Sequence, residues 1–149
     1  MAVWARQGIV TERDIRDFVG DNSFLRGLAY YRRGAVFDTL RRGGTLLARS
    51  RGSGKNEYRI ELRLDDAGAV EQAHCTCPVG GDGRCKHVAA VLLKWLHSPD
   101  VFRDLEDARR VLRRRTKAEL IALVDEFLRR EPELQLLIEA PRVHVPPKG

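Results

Sequence analysis

Residues 75–87 read Cys-Thr-Cys-Pro-Val-Gly-Gly-Asp-Gly-Arg-Cys-Lys-His, a C-x-C pair and a C-x-H pair separated by seven residues. Three thiolates and one imidazole suit zinc in a tetrahedral shell. Each pair sets two ligands on one ion from a tight segment. The intervening PVGGDGR, with three glycines and a proline, turns back sharply enough to deliver the second pair. The expectation is one structural Zn2+ on Cys75, Cys77, Cys85 and His87. A complete protein shell leaves no coordination position for water or substrate, so the metal shapes the domain and does not catalyse. Its net charge of about −1 has candidate offsets in Arg84, Lys86 and Arg49. Structural zinc contributes roughly 10–16 kcal/mol of apparent stability at neutral pH, so its loss is expected to unfold the region from about Tyr58 to His97.

The chain has three cysteines, all within that stretch. A disulfide framework scatters an even set, whereas clustered thiols beside a histidine in a reducing compartment point to metal. A redox centre more often shows C-x-x-C, and a cysteine nucleophile has no need of two further thiols. His74 adjoins Cys75, but successive strand residues point to opposite faces. His97 lies about three helical turns beyond His87, and His144 lies in the tail. His97 and His144 read as ordinary histidines, and His74 stands as a rival ligand ranked below His87.

Working outward, KHVAAVLLKWLH follows the ligand loop. Its Val88, Val91, Leu92, Trp95 and Leu96 mark an amphipathic helix that covers a sheet, ended by Ser98-Pro99-Asp100. Upstream, Tyr58, Ile60, Leu62 and Leu64 alternate with Glu57, Arg59, Glu61 and Arg63, the period of a half-buried strand. Strands over Ala35–Arg41, Thr45–Arg51 and Ala69–Cys75 join it through glycine-containing turns, which predicts an antiparallel meander. Further upstream, Thr11 caps a short helix that breaks at Gly20-Asp21-Asn22. Ser23 caps a second helix, SFLRGLAYYRR, ended by Gly34. Downstream, Leu105, Ala108, Val111 and Leu112 form a helical stripe. Thr116 and Glu119 make a capping box, and Pro132 opens a last short helix.

The predicted fold class is α+β: a small antiparallel β-meander with a zinc finger and covering helix, flanked by N-terminal helices and a C-terminal helical segment. The predicted organisation is a helical lead-in over 1–22, a zinc-binding domain over 23–98, a helical segment over 99–140 and a flexible tail over 141–149.

Of the 149 residues 43% are hydrophobic, enough for a core, and 32% are charged. No apolar run approaches the roughly 20 residues that cross a bilayer, and MAVWARQGIV lacks a signal peptide's apolar stretch. A cytoplasmic protein with no membrane partner is expected. The net charge of +6 draws it toward polyanions. Arg32, Arg33, Arg49, Arg51, Lys55, Arg59 and Arg63 lie in or beside the strands and are candidate nucleic-acid contacts, with Tyr30 and Tyr31 adjacent. The alternative is the charged outer face of a half-buried sheet, with Glu57 and Glu61 pairing across it. A second cluster, Arg109, Arg110, Arg113, Arg114, Arg115 and Lys117, surrounds a helix end where cations favour the dipole without any ligand.

Gly52-Ser53-Gly54-Lys55-Asn56 lacks the full G-x-x-x-x-G-K-[ST] spacing and precedes a strand, so it is a hairpin turn and no phosphate loop. No paired-carboxylate or Ser/His/Asp arrangement is present. A non-enzymatic binding protein without a small-molecule substrate is expected.

The pattern C-x-C-x7-C-x-H followed by VAAVLL resembles the SWIM zinc finger, which pairs C-x-C with C-x-H across a variable gap. FLRGLAYYRRGAVFDTLRRGGTLLARSRG and YRIELRLDDAGAV look like the helix and strands that precede the finger in bacterial SWIM proteins. The likeness runs from about Ser23 to His97, and TKAELIALVDEFLRREPELQLLI looks like the part that follows in some of them. The resemblance implies a short, stand-alone module that binds nucleic acid, DNA more than RNA, or a protein. SWIM domains occur in helicase-like ATPases of the SWI/SNF type, Mutator-type transposases, and ubiquitin-linked and recombination proteins. The resemblance therefore also implies an alternative, an adaptor subunit for a helicase-like ATPase or recombination complex without direct nucleic-acid contact.

Overall fold

The computed structural model describes residues 10–139. The expected tail over 141–149, with His144, lies outside the described residues. The chain divides into two compact units, Met1–Asp107 and Ala108–Gly149.

The first unit opens with helix α1 (Glu12–Val19), held by a reciprocal capping box in which Thr11 and Asp14 satisfy each other's backbone amides. Helix α2 (Asp21–Arg32) follows after Gly20 alone, whose φ of 86° turns the chain between the helices. Ser23 therefore lies inside the first turn of α2 and does not cap it. The end of α2 is sealed by amide bonds from Gly34 to Tyr31 and from Ala35 to Tyr30, the Schellman pattern that a glycine after the helix permits.

Four antiparallel strands come next: β1 (Val36–Arg42), β2 (Thr45–Arg51), β3 (Glu57–Leu64) and β4 (Val70–Cys75). The meander is as expected, but the sheet has a fifth member. Strand β5 (Arg103–Asp104) pairs parallel to β1, giving the order β4-β3-β2-β1-β5. Two residues carry no readable period. What fixes them is tertiary: Asp104 takes an Arg41 ion pair at 2.6 Å, and the Thr39 hydroxyl donates to the Val101 carbonyl at 2.8 Å. Strand β1 also has a bulge between Phe37 and Leu40, with Asp38 at φ 50°. The extra residue keeps the Asp38 carboxylate off the core face.

Helix α3 (Lys86–His97) lies under the sheet. Val88 to Leu93 are all 0% exposed. A one-sided stripe predicts a covering helix, but α3 is enclosed. Leu46, Ala48, Ile60, Leu62 and Ala73 belong to the same buried cluster, and α1 and α2 also pack against α3. Ala89 and Ala90 break no helical rule on the outer side and allow the helices to approach. Lys94 snorkels along this core and donates to the Val36 carbonyl at 2.8 Å.

Helix α4 (Leu105–Arg113) runs across the boundary between the units. The second unit continues with α5 (Lys117–Arg130), a 3-10 turn at Pro132–Leu134 and α6 (Gln135–Glu139). Thr116 and Glu119 form the expected capping box of α5. No helix among the described residues is long and apolar enough to cross a membrane.

Candidate metal centre and basic surfaces

Strand alternation turns Cys75 to the buried face of β4 and leaves His74 exposed on the other. Beyond Cys75 the chain reverses: the Cys75 amide donates to the Gly80 carbonyl at 2.8 Å, and the Gly80 amide donates to Cys77 at 3.0 Å. A Cβ on Gly80 would stand 2.8 Å from the Cys77 Sγ and 2.6 Å from the Cys75 carbonyl oxygen. Only glycine lets the loop close this tightly around the sulfurs. Cys85 then occupies the N-cap of α3, and His87 lies in the first turn.

The four side chains converge as expected. Their ligand atoms all lie within 4.8 Å of one another, and all four residues are buried. The His87 Nδ1 is 3.8 Å from the Cys75 Sγ and 3.9 Å from the Cys85 Sγ. A tetrahedral zinc shell with bonds near 2.3 Å has edges of about 3.8 Å, so the group fits that ion.

The acid–base chemistry of the donors points the same way. The Cys75 thiol donates to Cys85 and, with the Val88 and His87 amides at the helix N-terminus, holds Cys85 down at about 4. Donation to Cys85 and burial push Cys75 up, and burial pushes Cys77 up. A divalent cation binding here displaces the thiol protons that burial and mutual hydrogen bonding retain. Bound there, the metal cross-links β4, the glycine loop and α3.

Aromatic rings enclose the histidine. Tyr58 stands 4.8 Å from the His87 ring centroid, and Tyr30 stands edge-on at 5.3 Å. The buried Nε2 of His87 has no hydrogen-bond partner among the described residues. Arg33 lies 3.9 Å and Lys86 4.8 Å from the Tyr30 ring centre. Burial raises the Tyr30 phenol, but hydrogen bonds and charge from Lys86 and Arg33 outweigh it and leave the group below its ordinary value. Of the expected charge offsets, Lys86 sits at this cage. Arg84 lies over Phe18. Arg49 is engaged with Asp38 at 3.6 Å and Glu57 at 3.1 Å, so it is no offset to the zinc shell. His97 pairs with Glu12 and stacks on Tyr31, away from the metal.

The seven candidate nucleic-acid contacts divide. Arg63 is spent on Glu71 at 2.6 Å, and Arg49 on its two carboxylates. Arg49 and Arg51 approach the Phe37 ring to 5.6 and 5.5 Å. Arg59, opposite Arg49 in register, has no ion pair among the described residues, nor have Lys55 and Arg32. Arg33 and Tyr30 adjoin the metal cage, so they do not continue the open sheet face. That face carries a cavity of about 780 Å3 whose lining mixes Arg49, Arg59, Arg103 and His74 with Asp38 and Glu61. Phe37 carried no signal as a site residue, since a lone aromatic on a strand reads as core.

Residues 58–96 match the family model of the SWIM zinc finger. The match runs from β3 through α3 and contains all four ligands, so the chain carries a SWIM zinc finger with one structural zinc ion. The helices and first two strands upstream lie outside the matched residues. No curated protein and no solved structure matches the chain.

Proposed function

We propose that this zinc-organised module binds nucleic acid, DNA before RNA, and performs no chemistry of its own. The observation that carries the reading is the Phe37 ring beside the Arg51 guanidinium, with Arg59 on the neighbouring strand and without an ion pair among the described residues. An aromatic platform beside cations is how open sheets hold nucleic-acid chains, bases against the ring and phosphates against the guanidiniums. The net charge of +6 adds long-range attraction. Four protein ligands complete the shell, which supports a structural metal. The test is binding of the zinc-loaded protein to single- and double-stranded DNA and RNA oligonucleotides across a salt series. Affinity is expected to fall linearly with log salt. Binding indifferent to salt, or none, removes the reading.

A second reading, a protein adaptor, rests on the second unit. Within it Ile121, Val124 and Phe127 of α5 stand 53%, 39% and 47% exposed at helical spacing. A pull-down that recovers nucleic acid and no helicase-like ATPase or other stable partner removes it.

A further inference from the structure

A second cavity, of about 330 Å3, borders the metal centre, with Cys77, Cys85 and His87 on its wall. Its volume is some ten times a water's share of the liquid, roughly 30 Å3, so it is larger than an ion site. Three separate segments bring polar side chains to it: Ser23 and Arg26 from α2, Ser53 from the β2–β3 turn, and Lys86 from between two zinc ligands. Their convergence has structural causes. Gly27 lets α2 close onto the start of α3, where a Cβ in its place would stand 2.7 Å from the Lys86 carbonyl oxygen, and Ser23 lies one turn before it. Gly52 backs onto the Tyr58 ring, which itself rests on His87, and so holds the turn against the metal loop. Arg26 has no hydrogen bond or ion pair with another described residue. No carboxylate is among the lining residues, in contrast to the open sheet face with Asp38 and Glu61.

We infer that this cavity is a phosphate-binding pocket, formed by Ser23, Arg26, Ser53 and Lys86, that takes one backbone phosphate of a nucleic-acid chain. Arg26 and Lys86 together outweigh the net charge of about −1 that the metal shell brings to the same wall, and with the two hydroxyl donors they match a phosphate's charge and acceptors. The ligand's origin rests on the nucleic-acid reading above. Lys86 lies in sequence between the ligands Cys85 and His87, so the metal loop and the pocket share a wall.

The test uses the full zinc-loaded chain, with short single-stranded and duplex DNA and inorganic phosphate as probes. Amide resonances of Ser53 and Lys86 are expected to shift with either probe. An Arg26→Ala, Ser53→Ala protein is expected to keep its zinc, to bind DNA about tenfold more weakly and to lose about one from the log-affinity slope against log salt. Both substituted positions are exposed, so folding is not at stake. DNA binding with unaltered affinity and slope in that protein overturns the pocket and leaves the nucleic-acid reading standing. Absence of DNA binding in the wild type overturns that reading. In that event, shifts from inorganic phosphate at Ser53 and Lys86 keep the pocket as a site for another phosphate source, and their absence removes it as well.

Discussion

A Cβ placed on Gly27 would lie 2.5 Å from the Ala89 methyl and 2.7 Å from the Lys86 carbonyl oxygen. The crossing of α2 over α3 is therefore set by a missing side chain, at the turn of α3 that presents His87 to the metal. Gly27→Ala adds helix propensity of about 1 kcal/mol, yet it forces backbone apart where nothing flexible can yield. Overpacking of this kind costs about 1–3 kcal/mol. The expected outcome is a lower melting temperature together with weaker zinc retention in a chelator competition. A melting temperature above wild type would show that α2 does not lie on α3.

Zinc should be present at one ion per chain and should be hard to remove without unfolding. The ion replaces thiol protons held by burial and mutual hydrogen bonding in Cys75 and Cys77. Chelation is expected to abolish the cooperative melting of the first unit, a loss on the order of 10 kcal/mol. The capping-box helix α5, in the other compact unit, should keep its amide signals. An unchanged melting curve after complete metal removal would end the structural role. Substitution by Co2+ gives an independent check, since a Cys3His tetrahedral shell has intense visible absorption.

The metal ligands were legible because their information is local. Two spaced pairs and a glycine loop need no tertiary context, and strand alternation was enough to separate Cys75 from His74. The meander and its turns were legible for the same reason. Strand β5 was not: its two residues owe their pairing to Arg41 meeting Asp104, sixty-three positions apart. The start of α2 was misplaced because Ser23 is a good cap by residue type, whereas Gly20 serves both neighbouring helices through its backbone alone. Periodicity showed one apolar face of α3, while small alanines conceal the other. For the basic residues, sequence anticipated Glu57 as a partner across the sheet face but could not subtract Asp38 and Glu71 from the charge count.

Acid should loosen two helix starts through their capping carboxylates. Asp14 accepts from the Thr11 side chain and amide, and Glu119 from the Thr116 amide and side chain. Each carboxyl is held below its ordinary value of 3.8 or 4.5. A depressed folded value means stability that is fully present above the ordinary value and lost as pH falls through the lower one. Fraying at Glu12 and Lys117 is thus expected only below about pH 4.5, the ordinary carboxylate range, read by amide exchange at these first turns. Glu119→Gln should keep α5 capped while flattening its pH dependence below that point. A pH profile identical to wild type would mean that the Glu119 charge contributes nothing to the cap.

Charge removal on the sheet should separate spent from unspent arginines. Arg63 is tied to Glu71 at 2.6 Å, so removing it frees an acid but takes away no available cation. Arg51 faces Phe37 and has no carboxylate partner among the described residues, and Arg59 is likewise uncompensated. An Arg51→Ala, Arg59→Ala protein is expected to lose about tenfold or more in DNA affinity and about two from its salt slope, one for each phosphate contact. Arg63→Ala should weaken binding less and leave the slope almost unchanged. Phe37→Leu keeps the strand apolar but removes the platform, so it should reduce single-strand affinity by about 1–3 kcal/mol while sparing the slope. Equal losses for all three arginines would mean that binding follows total charge and not this surface.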